Sequence, residues 1–454
     1  MLNPQIFREY DIRGRVGEDL APDGVERIGK GFGAYAGRQG ARTVVVGRDC
    51  RLSSTSFRDA LVAGLLSAGL RVIDAGICPT PLLYFSIQRF PADAGVMITG
   101  SHNPPEFNGF KLCLGAHTLH GEEIQAIRRI LEKGDFLSGA GTVSAREVIP
   151  AYREFVRSNI SVSRRLKVVV DAGNGTAGLV APELFRELGV EVVELFCEMD
   201  GTFPNHFPDP TIPENLRHLV QAVRENGADV GVGYDGDADR IGAVDERGRI
   251  LFGDSLLLLF AREILSRKPG ATVISEVKAS QTLYDDIARR GGRAVMWKAG
   301  HSLIKQKMKE EGAEIAGEMS GHIFFADRYL GFDDAIYASA RLFELLAASD
   351  RPLSGMLSDL PPVVATPEIR VDCPDGEKFR VARRVAEIVR PLAREVIEID
   401  GVRALFDGGW GLVRASNTQP VLVLRFEGQD DAAVGRIRSL LEEAVRQARA
   451  EGKG

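Results

Sequence analysis

Four short stretches of this 454-residue chain gather polar, chemically capable side chains between apolar runs. The first, Thr99 to Lys111 (TGSHNPPEFNGFK), follows the apolar run Ala94–Ile98. A loop at a strand end is where α/β proteins place ligands. Ser101, between Gly100 and His102, offers an exposed hydroxyl. The stretch lacks the G-x-S-x-G elbow of a serine hydrolase. With His102 and Lys111 in the same loop, it fits a hydroxyl that carries a phosphoryl group beside positive charge. A Pro-Asn-Gly turn without chemistry is the plain alternative.

The second stretch, Asp235-Gly236-Asp237-Ala238-Asp239-Arg240, follows the strand-like DVGVGY. Alternate side chains of an extended segment share a face, so Asp235, Asp237 and Asp239 are expected to converge. Three carboxylates that close repel unless a divalent cation neutralises them. Oxygen ligands favour Mg²⁺, Ca²⁺ or Mn²⁺ over zinc. An EF-hand loop is excluded: Arg240 stands where its glycine belongs and a strand precedes, although Glu246 occupies the twelfth position. A solvated acidic turn is the simpler alternative.

In the third, Gly317-Glu318-Met319-Ser320-Gly321-His322, the residues Glu318, Ser320 and His322 alternate and are expected to face one cavity. A carboxylate with a hydroxyl can clamp vicinal sugar hydroxyls, which both donate and accept. The fourth, Arg414-Ala415-Ser416-Asn417-Thr418-Gln419-Pro420, sets a guanidinium among small hydrogen-bonding side chains, as a phosphate cradle would. A core histidine and a polar hairpin turn are the respective alternatives. Tyr10, Arg13, Lys278 and His301 are lesser candidates, and Phe203–Pro210 reads as a rigid structural turn.

The elements that must position these loops repeat. TVVVGRDCRLSSTSFRDALVAGLLSAGLRVIDAG, KVVVDAGNGTAGLVAPELFRELGVEVVEL and ATVISEVKASQTLYDDIARRGGRAVMWKAG share one order: β-branched run, loop, helical stretch, Gly stop, second apolar run. Continuous apolar runs suit strands buried on both faces, joined by crossover helices. From about Pro362 the pattern changes. EIRVDCP is strand-like and EKFRVARRVAEIVRPLAREV helical. Closely spaced strand-like pieces and an amphipathic helix, DDAAVGRIRSLLEEAVRQARAEGK, follow. The expected divisions are 1–148, 149–250, 251–361 and 362–454: three α/β units and a C-terminal α+β unit.

Composition sets outer bounds. With 44% hydrophobic and 26% charged residues, the chain can build several cores, and disorder is excluded. The net charge of -6 speaks against a nucleic-acid or anionic-membrane surface. Five dispersed cysteines without a CxxC pair give no zinc or disulfide framework and suit a reducing cytoplasm. No signal peptide or membrane-spanning run is visible.

Taken in this order, from YDIRG near the start to RASNTQP near the end, the motifs resemble those of the α-D-phosphohexomutase superfamily, in its bacterial phosphomannomutase/phosphoglucomutase branch. The wording GEMSGH points to that branch, since the glucosamine branch usually has Gln in place of Met319. The resemblance implies four domains around a central cleft: three related mixed-sheet α/β units and a distinct α+β unit. It also implies a phosphoserine at Ser101, one Mg²⁺ held by Asp235, Asp237, Asp239 and the phosphate-bearing Ser101, and Arg240 screening charge beside them. Glu318 and Ser320 would grip sugar hydroxyls, while Arg414, Ser416, Asn417 and Thr418 hold the phosphate that is not transferring. Lys111, His301 and His322 are the candidates to move the hydroxyl proton, and His102 would act on or order the Ser101 loop. Tyr10, Arg13 and Lys278 would complete the cleft wall. A hexose 1,6-bisphosphate would serve as activator, small sugar phosphates as the only partners, and the protein would be a cytoplasmic monomer. Three rival readings are a phosphoglucosamine mutase, a phosphatase with Asp235 as nucleophile and Asp333-Asp334 as second acidic cluster, and a non-enzymatic metal- or sugar-binding module.

Overall fold

Val168, Val169 and Val170 have no exposed surface, and the strand that holds them, Lys167–Asp171, runs between two parallel neighbours. That burial on both faces explains the unbroken β-branched run. The computed structural model describes residues 2–417 and 419–451, so Thr418 lies outside the described residues. Four sheets follow one another along the chain.

The first sheet runs Ile12–Arg15, Phe107–Leu114, Ala94–Ile98, Thr43–Arg48, Arg71–Ile77 and Thr142–Ala145, with a short strand at His117–Thr118. The second runs Ile250–Leu251, Ile241–Asp245, Val230–Tyr234, Lys167–Asp171 and Glu191–Leu195. The third runs Arg293–Trp297, Thr272–Glu276, Ile315–Gly317 and Ile323–Phe325. All three are mixed sheets: parallel strands joined by crossover helices, with antiparallel strands at one side. The sequence repeats announce the parallel part; the antiparallel strands are additions to it. One of them matters for function: Phe107–Leu114 runs antiparallel to Ala94–Ile98, the last of the parallel strands on that side, so the Ser101 loop that joins the two turns back on itself.

The fourth sheet is antiparallel in every pairing. Helices Asp375–Val389 and Asp431–Ala450 cover one face, with Val385 and Leu441 packed over Val402, Val413 and Leu424. The first of these helices is shorter than its sequence suggests. It ends before Pro391, which has no amide hydrogen to continue the ladder, and Glu395 and Val396 belong to the next strand. The architecture is four α/β-type units, three alike and the last α+β. Among the described residues no helix is long and apolar enough to cross a membrane.

Candidate active site

Ser101 stands in a loop held from behind by a residue that the motif reading missed. The Arg51 guanidinium is fully buried, and it donates to the backbone carbonyls of Ser101 (2.8 Å), Asn103 (2.5 Å), Pro104 (2.6 Å) and Phe107 (2.9 Å). Asp49 accepts from Arg51 Nε (3.2 Å) and from the Gly100 amide (3.1 Å). An arginine in GRDCRLSS carries no motif signal; only its four carbonyl partners, about fifty residues away, give it a role. So braced, Ser101 adopts a left-handed backbone, φ 50°. That region is disfavoured for residues other than glycine and persists only where the surroundings enforce it.

The Ser101 hydroxyl donates to Asp235 Oδ2 at 2.8 Å and lies 3.0 Å from His102 Nδ1. Serine and aspartate trio therefore share one cavity. Close approach requires Gly236, because a Cβ there would come within 2.5 Å of the Ser101 carbonyl oxygen. The trio converges, but not by extended alternation. Ala238 has φ 59°, and Asp235 Oδ1 accepts from the amides of Asp239 and Arg240 at 3.1 Å, so the loop is a tight turn. Thr80, which the sequence reading passed over, fastens this turn to the first unit: its hydroxyl donates to Asp237 Oδ2 (2.5 Å) and its amide to the Asp237 carbonyl (2.8 Å). Glu246, the formal twelfth EF-hand position, instead accepts from the Ser354 amide and hydroxyl.

Asp235, Asp237 and Asp239 have no exposed surface, and their ligand oxygens lie within 4.8 Å of one another. Burial, with Asp239 and Asp237 close by, pushes the Asp235 carboxyl well above the ordinary carboxylate range. Asp237 Oδ1 is buried without any hydrogen-bond donor, and Asp239 Oδ1 is approached by His322 Nε2 at 3.3 Å. An orphaned carboxylate oxygen at the centre of an all-oxygen cluster fits a hard divalent cation, and the trio is a metal-binding arrangement. Part of the compensating charge comes from Lys111, whose Nζ reaches Asp237 Oδ2 (2.8 Å) and Asp239 Oδ2. Burial alone would lower the Lys111 pKa, but the two aspartates outweigh it and raise it.

The third unit closes the other side. Glu318, Ser320 and His322 sit in the turn between Ile315–Gly317 and Ile323–Phe325, and they do meet: His322 Nδ1 lies 3.0 Å from Glu318 Oε2 and 3.3 Å from Ser320 Oγ. On its other side, His322 Nε2 is 3.3 Å from Asp239 Oδ1 and 3.2 Å from Arg240 Nε. Burial and Arg240 oppose a charge on this ring, yet Asp239 and Glu318 prevail and push its pKa up to about 9. His301 behaves oppositely. Burial, with Lys305, Lys111 and His322 nearby, drives its pKa well below the usual value. It opens the helix His301–Glu311, 3.7 Å from Asp333 Oδ2, and its ring meets those of Tyr10 and His322. His102 is likewise lowered, by burial and by the guanidinium groups of Arg240 and Arg13.

Arg13 joins the Ser101 loop, donating to the Gly100 carbonyl (3.2 Å) and Asn103 Oδ1 (2.9 Å). Lys278 pairs with Glu368 of the fourth unit at 2.8 Å, and that ammonium holds the Glu368 carboxyl down at about 2. In the fourth unit, Arg414 Nε donates to Asp400 Oδ2 (3.0 Å), and Asn417 Nδ2 donates to the Tyr10 hydroxyl (2.6 Å). The Ser416 hydroxyl accepts from the Gln419 amide (3.2 Å). Asp400 is a third residue that motif reading missed, since it also accepts from the Ala299 amide (3.0 Å), beside His301. Asp333, set in the sequence reading as part of a second acidic cluster, does reach the site, with a ligand atom within 4.8 Å of those of Asp239 and His322, and it pairs with Lys305 at 3.0 Å. Its neighbour Asp334 caps the helix Ala335–Ala347 and accepts from Tyr152 and Tyr329.

Family models for phosphoglucomutase/phosphomannomutase match the chain in four consecutive pieces. They are alpha/beta/alpha domains I (residues 4–138), II (150–248) and III (252–364), and the C-terminal domain (368–444). A phosphomannomutase/phosphoglucomutase of Pseudomonas aeruginosa is 46% identical, over 98% of this chain and 96% of that one. A phosphoglucomutase of Neisseria gonorrhoeae is 45% identical, over 97% and 96%. The crystal structure of a phosphoglucomutase/phosphomannomutase family protein from Burkholderia thailandensis superposes with a TM-score of 0.93 at 43% identity, covering 99% of this chain and 98% of that one.

Proposed function

The chain belongs to the phosphoglucomutase/phosphomannomutase family, and on that premise we propose that it interconverts hexose 1-phosphates and hexose 6-phosphates of mannose and glucose through a phosphoserine at Ser101. The observation that carries this reading is the 2.8 Å contact between the Ser101 hydroxyl and Asp235 inside a buried aspartate trio.

In this mechanism the phosphorus–Oγ bond of phosphoserine breaks as a bond to a free sugar hydroxyl forms. Of the three candidates the hydroxyl proton passes to His301, whose ring burial keeps neutral, because Lys111 and His322 are held protonated by the carboxylates beside them. The product, a hexose 1,6-bisphosphate, turns over in the cleft. Its other phosphate then returns to the Ser101 Oγ, and the proton goes back to the sugar oxygen left behind. Asp235, Asp237, Asp239 and the phosphate on Ser101 would hold Mg²⁺, which would supply charge neutralisation at the transferring group. Arg240 adds positive charge from the far side of the trio. Glu318 and Ser320 grip the sugar hydroxyls that stay near the axis of the turn, so that neither end is preferred and C2 is not read. Arg414, Ser416, Asn417 and Thr418 hold the idle phosphate, with Tyr10, Arg13 and Lys278 lining the wall and His102 ordering the serine loop. The division 1–148, 149–250, 251–361 and 362–454 belongs to this proposal; sheet membership supports it, changing after Ala145 and after Leu251 and resuming at Val364. So do a monomer activated by hexose 1,6-bisphosphate and a reducing cytoplasmic setting, the latter supported by five unpaired cysteines.

Intact-mass and peptide mapping after incubation with glucose 1,6-bisphosphate tests the reading. Phosphate on Ser101 is expected; an acyl phosphate on Asp235, with Ser101 unmodified, would replace the mutase with a phosphatase.

A further inference from the structure

Outside the cleft, on the first unit, two histidines and a glutamate converge where nothing in the mutase reaction needs them. His117 ends a two-residue strand paired with Cys113–Leu114, His120 lies in the following loop, and Glu123 stands in the first turn of the helix Glu122–Lys133. Their ligand atoms lie within 4.8 Å of one another. His117 Nε2 is 2.7 Å from Glu123 Oε2, and the His120 amide donates to that same oxygen at 3.2 Å. Glu123 is steadied from behind by the Tyr35 hydroxyl, 3.3 Å from Oε1. A fourth donor comes from another unit: Gln306 Oε1, on the helix that His301 opens, lies 3.2 Å from His120 Nε2.

We propose that His117, His120 and Glu123, with the Gln306 carbonyl oxygen as fourth ligand, bind a zinc-class divalent ion that fastens the first unit to the third. Two imidazoles and one carboxylate make a donor set that borderline cations prefer and Mg²⁺ does not, so this site and the aspartate trio select different ions. Ligand atoms around tetrahedral zinc are separated by about 3.3 Å, given bonds of about 2.0–2.1 Å. The His120–Gln306 separation of 3.2 Å already matches, and the His117–Glu123 pair at 2.7 Å has to open by about 0.6 Å. Both side chains are free to do so, being 42% and 31% exposed, which also gives the ion its entry path. Because Gln306 and His301 share one helix, the ion would brace that helix on the side away from the cleft.

Cobalt is the probe, because tetrahedral Co²⁺ absorbs far more strongly in the visible than octahedral Co²⁺. Metal-stripped full-length protein, kept in saturating Mg²⁺ to fill the trio, should take up one Co²⁺ with an intense tetrahedral spectrum, and Zn²⁺ should displace it. His117→Ala and His120→Ala should each weaken binding by at least about 10- to 100-fold, while His117→Ala leaves turnover in Mg²⁺ unchanged. Gln306→Ala should weaken binding and remove the rise in melting temperature that zinc gives. An unchanged spectrum in the double His117→Ala/His120→Ala protein, or no tetrahedral uptake by the parent, overturns the site. A Gln306→Ala protein that binds and melts like the parent overturns the link between units.

Discussion

Arg51 shows how much of the serine's geometry is set by a residue with no chemistry of its own. It satisfies four carbonyls of one loop. Removing it strands buried acceptors at about 1–3 kcal/mol each, less whatever the loop recovers by relaxing. The left-handed Ser101 backbone would relax with them. Arg51→Ala should lower kcat by about 100-fold, since misplacement by an ångström costs that much in a positioned transfer, while calorimetry should find Mg²⁺ affinity within a few-fold of the parent. Gly236→Ala attacks the same contact from the aspartate side. Its Cβ would press on the Ser101 carbonyl oxygen at 2.5 Å, so the serine and aspartate loops must part. Phosphoserine formation from glucose 1,6-bisphosphate, followed by mass spectrometry, should slow by about 100-fold or more. A rate equal to the parent's would mean that the contact is not needed for transfer.

At the scale of elements, the parallel strands were legible because burial on both faces writes itself as runs such as Val168–Val170. The loops at their ends were legible because side chains of one chemical kind recur at short spacing. The unread parts share a cause: their partners are distant in sequence. Arg51, Thr80 and Asp400 act on loops roughly 50, 157 and 101 residues away, and no local pattern encodes that. The aspartate trio was found for an incomplete reason, since a turn through a left-handed Ala238, not an extended strand, brings it together. Another distant contact builds the end of the third unit. Asp286 accepts from Arg262 Nε (2.7 Å), from Arg289 and from Arg290 Nε (2.9 Å), and Arg262 also reaches Asp359, just before the Pro361-Pro362 connection. Burial opposes the Asp286 charge, but these arginines outweigh it and hold its carboxyl at about 2, against an ordinary 3.8. A depressed carboxylate stabilises fully above its unfolded value and loses that contribution as pH falls through the folded one. Asp286→Asn should therefore destabilise by roughly 1–2 kcal/mol at neutral pH, allowing for screening of the half-open Arg289 and Arg290. The gap between parent and variant in urea unfolding should close between pH 4 and about 2, and a gap independent of pH would assign the effect to packing.

On the proposed reaction, the whole molecule has to hold one phosphate with the fourth unit while the first unit works on the other. Three hydrogen bonds meet at one junction to make that possible: Tyr10 to the Ala299 carbonyl (2.8 Å), Asn417 to Tyr10, and Asp400 to the Ala299 amide, with Arg414 on the same Asp400 oxygen. First, third and fourth units are thus locked together beside His301. A cavity of about 440 Å³, lined by Gln281, Pro361, Pro362, Trp410 and Glu427, lies between the third and fourth units at their connection. Closure over substrate excludes water, which competes with the sugar hydroxyl for the phosphoryl group. Two variants separate holding from closing. Arg414→Ala removes the guanidinium proposed to grip the idle phosphate, so KM should rise and kcat should fall, each by about tenfold or more, as grip and in-line geometry are lost together. Tyr10→Phe keeps that guanidinium but deletes two of the three hydrogen bonds of the junction, leaving Asp400 on the Ala299 amide. KM should rise only a few-fold, and the phosphoenzyme should hydrolyse faster in the presence of a sugar phosphate, measured as inorganic phosphate released per mutase turnover. Parent-like kinetics for Arg414→Ala would take the fourth unit out of the reaction altogether, and unchanged hydrolysis in Tyr10→Phe would show that the junction does not control water's access.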